Sequence, residues 1–175
     1  MFGKMIPFFI CTMFLTPCNA HFMSRVWPQK GFAPVTAGSP DAAVRILIAG
    51  KGSAFRDTVI SRLTAKLLND STFIQIIDLQ DLSTTRNPDE WNAILLVNRC
   101  VAWDYDALVK KFMKAHPDYP HLVVFTTSGD PEGCFSKEKQ RKEPPVDAYS
   151  CASRKDNVSS VVDTLYNLLQ RHVAE

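Results

Sequence analysis

The segment Ala49-Gly50-Lys51-Gly52-Ser53-Ala54-Phe55-Arg56-Asp57-Thr58 gathers glycines, hydroxyls and cations between an apolar run and a helical pattern. Residues of these types in this order make an anion cradle, because the first amides of a helix have no acceptor within it and point outward. Two stricter forms of such a loop fail. A nucleoside-triphosphate loop needs Gly-Lys followed by Ser or Thr, and here Gly52 follows Lys51. A dinucleotide loop needs a third glycine where Phe55 stands. Other chemistry is sparse. His21, His116, His121 and His172 are scattered, and none stands beside a nucleophile or a set of metal ligands, so each reads as a surface or capping residue. Without triad spacing or a C-x-x-C pair, neither a hydrolase nor a thiol oxidoreductase is supported. The expectation is no catalytic site and no metal site; whether the protein is an enzyme stays open, with the balance of residues against it.

The elements that position this loop come from periodicity. Short apolar runs at 45–49, 73–79, 93–97 and 121–126, with a weaker one at 146–150, read as strands. Helical spacing marks 58–68, 105–115 and 157–173; Asp104 or a neighbour caps the second helix, and Pro117 stops it. Strands that are apolar throughout, rather than alternating, are covered on both faces, which means a parallel sheet between layers of helices. Residues 81–91 are too few for a crossover helix, and Pro88-Asp89-Glu90-Trp91 supplies one turn. Residues 129–145 form an exposed excursion, whose run Lys137-Glu138-Lys139-Gln140-Arg141-Lys142 reads as a solvated face.

With the elements in order, Gly52-Ser53-Ala54-Phe55-Arg56-Asp57-Thr58 resembles the flavodoxin phosphate loop, G-[ST]-x-x-G-x-T, between the first strand and the first helix. Ile76-Ile77-Asp78-Leu79 with Trp91-Asn92-Ala93-Ile94-Leu95-Leu96 is similar to that family's second and third strands. Leu122-Val123-Val124-Phe125-Thr126-Thr127-Ser128-Gly129 is similar to its fourth strand and loop. The resemblance covers residues 45 to 175. It implies a flavodoxin-like doubly wound α/β fold with a five-stranded parallel sheet in the order 2-1-3-4-5 and helices on both faces. It also implies an FMN or anion site drawn from Gly52, Ser53, Arg56, Thr58, Asn98, Trp103, Ser128 and Gly129. Ser53 and Thr58 would give hydroxyls to the phosphate and Trp103 a stacking surface.

The chain departs from that pattern at several points. Arg56 replaces a glycine, and only glycine takes positive φ freely, so the loop is strained or changed. Asn98-Arg99-Cys100-Val101-Ala102-Trp103 lacks the Pro and Tyr of short-chain flavodoxins, and Asp130 and Glu132 repel an anion. Asn98 ends the third strand, where a phosphoacceptor receiver needs an acid. Two readings stay open. One is a ligand-binding or interaction domain, with an unknown protein or small molecule as partner, that has lost flavin. The other is an FMN-binding electron-transfer protein of the cell envelope.

Composition and the N-terminus supply the setting. The chain has 175 residues, 46% hydrophobic and 22% charged, with a net charge of +2, which excludes a wholly disordered or collagen-like chain and gives no reason for nucleic-acid binding. Lys4, the apolar stretch 5–15 and Cys18-Asn19-Ala20 read as a signal peptide over 1–20, so the protein is expected to be periplasmic or secreted. Lipidation at Cys18 or an uncleaved anchor is the alternative, and the only membrane contact expected. Residues 21–44, broken by Pro28, Gly31, Pro34, Gly38 and Pro40, read as an arm that Trp27 and Phe32 pin to the domain. Removal of the leader leaves Cys100, Cys134 and Cys151. The ends of adjacent strands bring Cys134 and Cys151 together, so a bridge between them is expected, stabilising by about 2–4 kcal/mol. Cys100 then reads as a small buried hydrophobe; a redox role would have only Arg99 to lower its pKa.

Overall fold

Runs rich in Ile, Leu and Val become strands wherever helices cover both faces. A computed structural model describes residues 30–85, 87–101, 104–129, 147–154 and 156–174. Its elements are β1 (Val35–Ala37), β2 (Val44–Gly50), α1 (Ala54–Leu67), β3 (Thr72–Asp78), β4 (Ala93–Arg99), α2 (Ala107–Ala115), β5 (Leu122–Ser128), β6 (Asp147–Ala152) and α3 (Val158–Ala174). The sheet is six-stranded, in the order β1-β3-β2-β4-β5-β6. From β3 to β6 every pairing is parallel, and β1 lies antiparallel to β3 at the edge. Numbered among themselves, the parallel strands run 2-1-3-4-5, the doubly wound order expected of a flavodoxin-like fold.

Alternation along the strands divides the core into two layers. Ile46, Ile48, Leu95, Val97 and Phe125 face α1 and α3, where Leu63, Leu67, Leu165 and Leu169 meet them. Leu47, Leu96 and Val124 face the other way, onto Val109, Phe112, Leu79, Leu82 and Trp91. That second face is thinner. The crossover from β3 to β4 has no α-helix, only 3-10 turns at Leu79–Thr84 and Pro88–Glu90. Among the described residues, no helix is long and apolar enough to cross a membrane.

Three features differ from the sequence reading. The helix expected from Thr58 begins at Ala54, because Ser53 caps it by accepting the Arg56 amide at 3.3 Å. Residues 35–37, read as part of an arm, are a sheet strand. Gly38, at φ 86°, turns the chain from it toward β2, and a side chain there would run into the Thr72 carbonyl. Phe32 does pack against the α1–α3 layer as expected. Trp27, the leader, the Lys137–Lys142 run and Cys134 lie outside the described residues.

Cys151 differs too, and is not bridged. It is a free thiol, 1% exposed, whereas Cys100, read as a buried hydrophobe, is disulfide-bonded. Adjacent strand ends are therefore not enough to pair Cys151. Alternation along β6 puts it on the same face as Tyr149, packed in the α1–α3 layer. Burial, reinforced by Asp156, raises the Cys151 thiol from 9.0 to about 12. The folded thiol thus stays neutral where the unfolded one ionises, so its contribution to stability is intact below pH 9 and is lost as the pH rises toward 12. Peptide mapping after iodoacetamide treatment at pH 8 should find Cys151 alkylated only in denaturant. Cys151→Ala should make the alkaline loss of stability shallower.

Candidate functional site

In open parallel sheets, ligands sit outside the carboxyl ends of the strands where the strand order reverses, here between β2 and β4. Lys51 leaves the end of β2, and Asp106 caps the start of α2 after β4. Their side chains meet across this crevice, with Nζ 3.2 Å from Oδ2, and are only 12% and 7% exposed. Asp106 Oδ1 also accepts the Leu108 amide at 3.0 Å, while the Asp106 amide donates to Asn98 Oδ1 at 3.3 Å. Asn98 Nδ2 in turn donates to the Phe125 carbonyl and to Thr126 Oγ1, at 3.3 and 3.1 Å. One buried polar chain therefore joins the ends of β2, β4 and β5.

The loop from Lys51 to Ser53 is engaged by its own protein. The Lys51 amide donates to the Val97 carbonyl at 3.2 Å, and the Gly52 amide to the Lys30 carbonyl at 2.7 Å. Ser53 Oγ is occupied as the α1 cap. Arg56, 2% exposed, turns under the loop, donating from one terminal nitrogen to the Gly52 carbonyl at 2.9 Å and from the other to Thr127 Oγ1 at 3.3 Å. Because Arg56 lies inside α1, its backbone is helical, and the strain expected of a non-glycine residue in the loop does not arise. Burial, and then the nearby Arg99, lower its guanidinium to about 10, with Asp57 acting the other way. The Asp57 carboxylate lies against Gly52, at the positive end of α1. The amides of Ala54 and Phe55 have no partner among the described residues.

Of the site residues named from sequence, Gly52, Ser53, Arg56 and Asn98 come together here. Thr58 does not join them; its hydroxyl donates back to the Ala54 carbonyl at 2.8 Å. The Ser128 carbonyl accepts the amide and hydroxyl of Ser153, at 3.0 and 3.1 Å, and Gly129 is exposed with open space around it. Trp103 lies outside the described residues. Sequence reasoning missed Lys51 and Asp106 as a pair. The capping signal near Asp104 located the helix start, but no local pattern links residues 55 positions apart. It also missed the meeting of His121 and His172, whose ring centroids lie 5.9 Å apart, with His172 Nε2 3.1 Å from Asp147 Oδ2. Among the described residues, no cluster of His, Cys, Asp and Glu is placed to hold a metal ion.

The fold so defined is a flavodoxin-like α/β domain. Comparison of solved structures finds likeness to a flavodoxin from the domain Archaea, with TM-score 0.46 and 13% identity over 74% of this chain and 99% of that one. Oxidised flavodoxin 1 from Bacillus cereus gives TM-score 0.46 and 14% identity over 74% and 99%. A response regulator receiver protein from Sinorhizobium medicae gives 0.43 and 13% over 77% and 99%. The strand order, rather than these likenesses, carries the fold assignment. No protein-family model and no curated protein matches the chain.

Removing one partner of a buried ion pair leaves the other charge uncompensated. Asp106→Ala also removes the α2 cap, so it should destabilise the protein by about 3–5 kcal/mol in denaturant titration. Lys51→Met should cost less, because Asp106 keeps the Leu108 amide.

Proposed function

We propose that the chain is an exported flavodoxin-like ligand-binding or interaction domain that has given up flavin. The observation that carries this reading is the state of Gly52. Its amide is bonded to Lys30 and its carbonyl to Arg56, so the loop turns its polar groups to the protein rather than to a phosphate. The Asp57 carboxylate against Gly52 adds repulsion toward an anion, and the Lys51–Asp106 pair spans the crevice that a flavin would enter. These residues fit an FMN phosphate poorly. Support for export comes from Lys4, the apolar stretch 5–15 and Cys18-Asn19-Ala20. A leader of that kind leaves a periplasmic or secreted protein, and lipid at Cys18 would tether it instead.

The competing reading, an FMN-binding electron carrier of the envelope, draws on the amides of Ala54 and Phe55 at the N-terminus of α1, the kind of group that receives phosphate. A visible spectrum of the purified protein followed by FMN titration separates the two. The expected result is a colourless protein whose addition leaves FMN fluorescence unchanged. A yellow protein, or tight FMN binding that Ser53→Ala removes, would overturn the loss of flavin in favour of an FMN-binding protein.

A further inference from the structure

We infer that the groove between the turn after β3 and helix α2 binds a small amphipathic anion, an aromatic or aliphatic body carrying one acidic group. The groove follows from the shortened crossover. A 3-10 turn is too slight to fill the space a helix would take beside α2, and a trough of about 290 Å³ is left between Leu79–Thr84 and α2. That volume lies near the lower end of small-molecule sites, so the ligand is small.

The chemistry of the trough is divided. Its floor is Leu79, Leu82 and Phe112, all buried, with half-buried Leu108 as a wall. Among the described residues, its charged or titratable lining consists of Lys111 and His116, with no carboxylate. His116 caps the C-terminus of α2 and stands against Phe112, with ring centroids 4.6 Å apart. The charged residues of α2 are Lys110, Lys111 and Lys114. Lys110 is neutralised by Asp104 at 2.7 Å, while Lys111 and Lys114 are exposed and have no ion-pair partner among the described residues. An apolar body gains by leaving water for the floor, and an acid at its end meets an uncompensated lysine at the rim. The lysines also suit the negative end of the helix, but that role needs no apolar trough beside them. A neutral apolar ligand would leave Lys111 without a partner, and a cation would be repelled.

This inference deepens the ligand-binding reading and rests on it for its biological sense, yet Lys111 and His116 take no part in the Lys51–Asp106–Asn98 network. The test titrates the full chain with anilinonaphthalene sulfonate, an aromatic anion that fluoresces in apolar sites, and with its neutral analogue phenylnaphthylamine. The anion should bind at least about tenfold more tightly than the neutral dye, and Lys111→Glu should weaken the anion about tenfold while leaving the neutral dye unchanged. Ala115→Trp, which fills the trough from an exposed position, should abolish binding of both dyes with the near-UV circular dichroism retained. Equal affinity for the two dyes, or anion binding indifferent to Lys111→Glu, would overturn the proposal, as would the absence of binding. FMN binding at the carboxyl edge is read on Ser53→Ala and dye binding on Ala115→Trp, so either reading can fail while the other stands.

Discussion

Lys51 and Asp106 lie 55 residues apart in sequence and 3.2 Å apart in the fold, at the point where the strand order of the sheet reverses. Burying two charges there costs desolvation that their mutual attraction alone does not reliably offset. The cost is lowered on the carboxylate side, because Asp106 has a further partner. Asp106 accepts the Leu108 amide and so satisfies the start of α2, and its own amide is held by Asn98. The Lys51 backbone is pinned to Val97 on β4. The pair thus fixes the loop after β2 relative to the loop after β4, and through Asn98 relative to β5. A ligand entering the crevice would have to replace these contacts with its own.

Arg56 completes the same edge from beneath. Where a flavodoxin loop has a glycine free to adopt positive φ, this chain starts its helix early and sends a guanidinium under Gly52 toward Thr127. The result is an edge rich in polar groups directed at one another. The trough beside α2 has the reverse character, an apolar floor with a lysine at the rim that nothing described neutralises. The shortened crossover accounts for the trough, and the internal polar network takes up Gly52, Asn98 and Asp106 at the edge. The fold keeps its frame, and the proposed place for a ligand lies at the side of the sheet.

The five parallel strands were legible in the sequence because continuous apolar runs such as Ala93-Ile94-Leu95-Leu96-Val97 have no polar face to leave in water. The absent crossover helix was legible too, since Pro88 and the short spacing forbid it. The start of α1 was not, because Ser53 serves equally as a phosphate ligand and as a helix cap, and only its contact with the Arg56 amide decides between them. β1 was not, because Val35-Thr36-Ala37 is too short to show a period and becomes a strand only by pairing with β3. The free Cys151 was missed because chain order places strand ends together but says nothing about which face a side chain takes. Of the candidate site, the loop was visible in local residue types. The ion pair that closes it was not, since no short-range pattern encodes a contact between distant loops.

Residue-resolved amide hydrogen exchange tests directly whether the edge is saturated by the protein itself. The Gly52 and Asp106 amides, bonded to Lys30 and Asn98, should exchange slowly in the protein alone and at the same rate when inorganic phosphate or FMN is present. Fast exchange of Gly52 in the protein alone, slowing when either anion is added, would mean that the loop is open and awaits a ligand, and would contradict the account.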